Sequence, residues 1–324
     1  MKQKLFVVAY YIATFIIPIN AFIYESKVMR IWVPEQNEYH YFIGCSDFHD
    51  HTHPLTQLQR ETIEKILAQA IHKSDIKVLV EDLSYPSYDG RYACGRFFLG
   101  PKGGILSGLA QFCKNNGLDV DNVEYRFCRV VALGPVMDQV HNNEQLCNDK
   151  LPSTCNTQIS MLHQEVDALI TEIRSFDDGQ PLNNYYAQCT KSVENRCNEI
   201  HITKQSQMSA ADYIASHTTD LQRIGQLNYL LTFDSGLVDA HLIHKIVTAK
   251  DKKTVIAFAG GTHIAAVSSL LATIGYETVY ECKTNLIKEY SLNNCSGSSV
   301  LQDTHGSYCL RPSAISLDFL SGYI

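Results

Sequence analysis

Val255-Ile256-Ala257-Phe258-Ala259-Gly260-Gly261-Thr262-His263-Ile264-Ala265-Ala266-Val267 is the stretch on which the reading of this chain turns. Thr254 to Ala259 has the apolar, branched character of a strand. Gly260-Gly261 then allow a tight turn, and apolar residues from Ile264 to Ile274 recur at helical spacing until Gly275. Thr278-Val279-Tyr280 is the next strand. His263 therefore falls where a helix begins. In an open α/β sheet, ligands bind outside the carboxyl ends of the strands, so His263 stands where chemistry is commonly placed. An isolated histidine there would more simply cap the helix.

The same rhythm runs near the other end of the chain. Tyr39 to Gly44 is the first clear strand, and Thr56 and Gln59 have the spacing of a capping box. The helix that follows should bury Ile63, Ile66, Leu67, Ala70 and Ile71. Lys77-Val78-Leu79-Val80 is a strand ending at Glu81-Asp82, and Ile105 to Cys113 is a helix stopped by Gly117. Asn122 to Leu133 is a third strand. Strand-helix alternation at both ends predicts an α/β fold with a mainly parallel sheet flanked by helices and joined by right-handed crossovers. Between them, residues 139–236 are polar and punctuated by cysteine, with an amphipathic helix marked by Ile159, Leu162, Val166, Leu169, Ile170 and Ile173. That stretch is expected to be a helical, cysteine-containing insertion between the two halves of the α/β domain, residues 22–138 and 237–294. Residues 295–324 are expected to be an irregular tail, and Leu237 to Val247 a buried helix.

Lys2 and Lys4, the apolar run Leu5 to Ile17, and Pro18-Ile19-Asn20-Ala21 are the three parts of a signal peptide, residues 1–21, in order. The expectation is an exported protein, periplasmic or secreted. The alternative is an uncleaved anchor: Leu5 to Ile23 is just long enough to span about 30 Å of hydrocarbon, and only then would the chain sit on a membrane. The sequence has 45% hydrophobic and 19% charged residues and a formal net charge of -7, without a basic tract. A phosphate backbone would be repelled, which excludes nucleic acid as a partner. Eleven cysteines fit an oxidising compartment. Cys147 and Cys155, and Cys189 and Cys197, flank short polar stretches that local disulfides could staple. Cys45 and Cys128, within strands, are the expected buried thiols.

Two further strand ends accompany His263. Asp47-Phe48-His49-Asp50-His51-Thr52-His53 lies between the first strand and the first helix. His49 and His53 could supply imidazole nitrogens to a cation, and Asp50 or Asp47 a carboxylate. The competing account is a solvated polar loop. Glu81 ends its strand among apolar neighbours, a setting suited to general acid–base work. Arg126 and Arg129, on opposite faces of a strand, could hold an anionic group or pair with Glu124. His241 and His244 share a helix face, where a core role is at least as good an account as ligation.

These residues resemble a superfamily that includes TraB/Tiki-type metalloproteases, ChaN-like haem-binding lipoproteins and erythromycin esterases. Its members have a GxxH motif near each end and a glutamate after an intervening strand. Gly260-Gly261-Thr262-His263 is similar to the C-terminal motif, and Val80-Glu81 to the glutamate strand. Gly44 precedes His49 by five residues, not three, although His49-Asp50 followed by His53 looks like the histidine-aspartate variant. The resemblance covers about residues 39–83 and 253–281. It implies a divalent cation of the zinc or manganese type or, less readily, haem, and a small-molecule or peptide substrate. It does not choose between esterase, peptidase and binder. Asp47-Phe48-His49-Asp50, Val80-Glu81-Asp82-Leu83-Ser84 and Val123-Glu124-Tyr125-Arg126 also look like exported bacterial proteins of unassigned activity. A rival resemblance is to PHP-type metal-dependent phosphoesterases, whose DxHxHT opening is matched by Asp47 to Thr52 and whose closing DAH is matched by Asp239-Ala240-His241. The expectation is a metal-dependent hydrolase of ester or peptide bonds. His49, Asp50, His53 and His263 would hold the cation, Glu81 would act as base, and Arg126 or Arg129 would orient the substrate. A non-catalytic binder of haem or of a host partner is the alternative.

Overall fold

The computed structural model describes residues 21–49, 56–82, 106, 108–123, 158–176, 180–199, 207–209, 212–213, 216, 235–284, 286–289, 300–303, 306–312 and 315–324. The chain forms two compact units. One contains residues 1–88, 95–123 and 249–324, and the other residues 89–94 and 124–248.

The first unit is built on a six-stranded sheet. Its strands are β1 (Ala21–Val33), β2 (Glu38–His49), β3 (Ile76–Val80), β4 (Asp119–Asn122), β5 (Thr254–Gly260) and β6 (Glu277–Lys283), in the order β4-β3-β5-β2-β1-β6. The pairings β4–β3, β3–β5 and β5–β2 are parallel, while β2–β1 and β1–β6 are antiparallel. The mostly parallel α/β sheet expected from the alternation is present, with an antiparallel flank that the alternation did not disclose. β1 begins at Ala21, the last residue of the export-like segment, and Pro34-Glu35-Gln36-Asn37 turns it back onto β2. Asn37 takes a positive φ of 53° in that turn.

Strict alternation sorts the strands onto two faces. Ile43 and Cys45 of β2, Val78 and Val80 of β3, and Ile256 and Phe258 of β5 share one core with α1 (Thr56–Ala68) and α2 (Leu109–Asn115). Ile63, Ile66, Leu67 and Ala70 are buried there as their spacing predicts, with Ile71 packed against them. The opposite face receives α6 (Gly261–Thr273), whose Ile264, Val267 and Leu271 are buried. A Cβ on Gly44 would come within 2.6 Å of Ile264 Cγ2, so β2 needs a glycine where the helix crosses it. Gly117 (φ 76°) and Gly275 (φ 103°) follow α2 and α6 in left-handed conformations, as C-terminal glycines do.

Several local expectations are corrected. Thr56 and Gln59 do not form a capping box. Thr56 is already helical, and the Gln59 amide instead binds the Ile23 N–H and C=O and the Ile315 C=O, at 2.8, 3.0 and 2.7 Å. The third strand begins at Asp119, not Asn122, because Asp119–Asn122 pair in parallel with Lys77–Val80. The tail is not irregular. Leu286–Glu289 (β7), Val300–Asp303 (β8) and Gly306–Pro312 (β9) form a three-stranded antiparallel sheet, and the 3-10 helix Asp318–Gly322 buries Leu320 in the core of the first unit. One helix from Leu5 to Ile23 is also overturned at its end: Ala21–Ile23 are strand residues paired with Asp47–His49, and Ile23 is fully buried. Among the described residues, no helix is long and apolar enough to cross a membrane.

In the second unit, α3 (Ile159–Arg174), α4 (Gln180–Glu199) and α5 (Ser235–Thr248) are described. Cys189 and Cys197 do not flank a loop. They lie eight residues apart in one continuous helix, about 12 Å along its axis, too far for a disulfide. α5 is the buried helix expected near Leu237: Val238, Ala240, Leu242 and Ile243 are fully buried. His244 stacks on Phe176 with centroids 4.0 Å apart, and His241 is buried in the same helix, so the packing account holds for His244.

Candidate functional site

The carboxyl ends of three neighbouring parallel strands meet at one place in the first unit. β2 reaches it at Asp47, which pairs with Gly260 at the end of β5. β3 reaches it at Glu81, whose N–H donates to the Phe258 carbonyl at 2.9 Å and so continues the sheet for one more residue. α6 starts immediately after Gly260, which puts His263 in its first turn. Asp47, Glu81 and His263 are 4%, 8% and 4% exposed, an unusual degree of burial for acids and an imidazole outside a functional or paired arrangement.

Their geometry is closely constrained. Glu81 Oε2 accepts the Gly260 N–H at 2.7 Å, while Oε1 faces His263 Nε2 at 3.6 Å. The second distance is too long for a hydrogen bond and within ion-pair range when His263 is protonated. A Cβ on Gly260 would lie 3.5 Å from Glu81 Oε2, 3.5 Å from His263 Cδ2 and 3.8 Å from Asp47 Oδ1. The three side chains surround a common point beside the Gly260 backbone. Gly260 itself has φ −56° and ψ 145°, a conformation open to any residue. The expectation that this pair of glycines serves a tight turn is therefore corrected for Gly260: what a glycine provides there is space.

Gly261 is more demanding. A Cβ there would overlap the Tyr24 hydroxyl and stand 2.9 Å from Tyr24 Cζ. Tyr24 sits at the irregularity of the β1–β2 pairing, where the register passes from Ile23↔Asp47 to Glu25↔Ser46. Burial first, and then the Glu25 and Asp47 carboxylates, raises the Tyr24 phenol above its ordinary range, so it keeps its proton at neutral pH.

Glu81 is held from behind. The Asn122 side chain closes on the next residue, accepting the Asp82 N–H at 3.1 Å and donating to the Asp82 carbonyl at 2.8 Å. Asp82, 1% exposed, accepts the Gly108 N–H at 3.0 Å before α2. The ends of β3 and β4 are thus clasped together next to the carboxylate.

The structure brings together Glu81, His263, Gly260 and Gly261 of the expected site with Asp47, one of the two carboxylates offered at the first strand end, and adds Tyr24. His49 was expected in a loop. Its backbone instead ends β2, paired with Ala21, because the antiparallel β1 extends the strand past the last parallel pairing. The His49 side chain, Asp50, His53, Arg126 and Arg129 lie outside the described residues. Tyr24, Asp82 and Asn122 gave no signal in the sequence, since each depends on a contact between strands distant in the chain. Among the described residues, no three His, Cys, Asp or Glu side chains are arranged to hold a metal ion. Asp47, Glu81 and His263 do not by themselves fit a cation. Comparisons with protein-family models, curated proteins and solved structures gave no match to this chain.

Proposed function

We propose that this chain is an exported hydrolase of ester or peptide bonds whose site lies where β2, β3 and β5 end. The observation that carries the reading is the convergence of buried Asp47, Glu81 and His263 on one point beside Gly260. An ionised Glu81 takes a proton from water, and the water oxygen adds to the carbonyl carbon. Collapse of the tetrahedral intermediate breaks the C–O or C–N bond, and the departing oxygen or nitrogen takes the proton back from Glu81. The products are a carboxylic acid and an alcohol or amine. His263 faces the Glu81 oxygen that Gly260 does not bind, so its protonation state controls how readily that carboxylate gives and takes the proton. Arg126 and Arg129 are proposed to orient the substrate. A divalent cation of the zinc or manganese type, held by His49, Asp50, His53 and His263, is a separate element of the proposal, and no step above depends on it. The cysteine-rich residues 139–236 are proposed as a helical insertion in the exported protein.

The test uses the full chain matured in an oxidising compartment. Its hydrolysis of p-nitrophenyl acetate and of a quenched fluorescent peptide is compared with that of Glu81→Gln and His263→Ala, alongside metal analysis of each. Turnover by the wild type that falls at least about 100-fold in Glu81→Gln supports the reading. Equal rates in the two would sink it. Stoichiometric metal lost in His263→Ala supports the cation. A haem absorption band without turnover would mean a binder, and turnover confined to p-nitrophenyl phosphate a phosphoesterase.

A further inference from the structure

Tyr24 stands against the site, and the reaction above leaves it unused. By alternation from Ile23, which is buried in the core shared with α1, the Tyr24 side chain falls on the opposite face, the one that receives α6. The pairing with β2 skips Tyr24: Ile23 faces Asp47 and Glu25 faces Ser46. On the other side its carbonyl still accepts the Thr284 N–H at 3.1 Å, so the backbone is held while the residue is displaced. Such bulges are over-represented next to active sites. The phenol arrives over Gly261, where no larger residue leaves room for it. That position is one residue from Gly260, beside which Glu81, His263 and Asp47 converge. Two features 237 residues apart, a bulge and a glycine, agree in placing one hydroxyl at the first turn of α6.

We infer that the Tyr24 hydroxyl donates a hydrogen bond to the carbonyl oxygen of the bond being cleaved, as charge develops on that oxygen. This rests on the hydrolase reading. The supporting chemistry is that a phenol is a neutral donor that needs no change of protonation to act. Its burial beside the Glu25 and Asp47 carboxylates keeps the proton on oxygen. Because the hydroxyl binds the oxygen most strongly in the tetrahedral state, it is a catalytic residue acting on kcat more than on KM.

The test is steady-state hydrolysis of p-nitrophenyl acetate by the wild type, Tyr24→Phe, Gly261→Ala and the double variant. Tyr24→Phe removes a single oxygen and should lower kcat by roughly 10- to 100-fold with KM within about twofold. Gly261→Ala displaces the phenol and should cost a similar factor, and the double variant should be no worse than the poorer single one. If Tyr24→Phe changes the thermal midpoint, 3-fluorotyrosine at position 24 replaces it, and the alkaline limb of the rate profile should move to lower pH. Unchanged kcat in Tyr24→Phe, losses confined to KM, or multiplicative losses in the double variant would each overturn the inference. A wild type that hydrolyses neither p-nitrophenyl acetate nor the fluorescent peptide overturns the hydrolase reading itself, and this inference with it.

Discussion

Gly260 and Gly261 are neighbours whose lack of a side chain does two different things. At Gly260 a methyl would make ordinary contacts with Glu81, His263 and Asp47 while occupying the point they surround. Gly260→Ala should therefore keep a thermal midpoint within a few degrees of the wild type and lose hydrolysis. A large drop in the midpoint would show that the three side chains cannot absorb a methyl. Gly44 is the opposite case. Its missing Cβ lets α6 lie on β2, and Gly44→Val should destabilise by about 1–3 kcal/mol through overpacking against Ile264, read from chemical unfolding. The thiols are a third residue-level test. Burial pushes Cys113 up to about 12 and Cys45 higher still. In the native protein at pH 8 neither should react with iodoacetamide, and both should do so in denaturant, as peptide mass mapping would record.

At the scale of elements, the hairpin of β1 and β2 decides more than the helices do. It joins the parallel strands to β6, carries Tyr24 towards Gly261, and receives the Gln59 amide from α1. Gln59 ties β1 to α1 and to the segment before the final 3-10 helix, since its three hydrogen bonds reach Ile23 and Ile315. Gln59→Leu would leave buried backbone groups unpaired at both places. The expected loss is roughly 2–4 kcal/mol of unfolding free energy, with hydrogen exchange speeding first at Ile23 and at residues 318–322. Uniform exchange throughout the first unit would mean that Gln59 does not link these elements.

For the whole molecule, stability should depend on pH through the charge cluster at the amino ends of β3 and β4. Lys77 faces Asp119 at 3.2 Å and Asp121 at 3.0 Å, and Lys252 reaches Asp119 at 2.9 Å. Burial opposes ionisation of Asp119, but the Lys252 hydrogen bond and the Lys77 charge outweigh it and hold the carboxyl below its usual range. A depressed carboxyl contributes stability that is present above the unfolded value of about 3.9 and is lost as pH falls through the folded value. Lys252 is raised, by the Asp119 hydrogen bond first, and so contributes below about 10.4 and loses that contribution as pH rises through its folded value. Thermal midpoints should therefore form a plateau at intermediate pH with a fall on each side, and Asp119→Asn should flatten the acid limb. An acid limb unchanged by Asp119→Asn would mean that other carboxyls control it. The proposed export is tested at the same scale: if it holds, intact mass of the mature chain should place its amino terminus near Phe22, leaving β1 almost complete.

Much of the sheet was legible because periodicity is a local property. The strands at 77–80 and 254–259, the helices that bury Ile63 and Leu67 or Ile264 and Leu271, and the glycines after α2 and α6 each follow from residues within one window. The strand-end position of Glu81 and His263 followed in turn, since the alternation of strand and helix implies parallel strands, and parallel strands share their carboxyl ends. What a window cannot contain is a pairing between distant segments. β1, the three-stranded sheet of 286–312, and the continuation of β2 to His49 exist because hydrogen-bond partners arrive from elsewhere in the chain. For the same reason, only the tertiary structure buried Asp47 beside Gly260, put a phenol over Gly261 and turned Gln59 from a cap into a tie. The amino-acid sequence determined that Glu81 and His263 stand at the ends of β3 and β5. Long-range pairing and packing decided which others join them, because a side chain's neighbours are set by where strands meet in space, not by how far apart they lie along the chain.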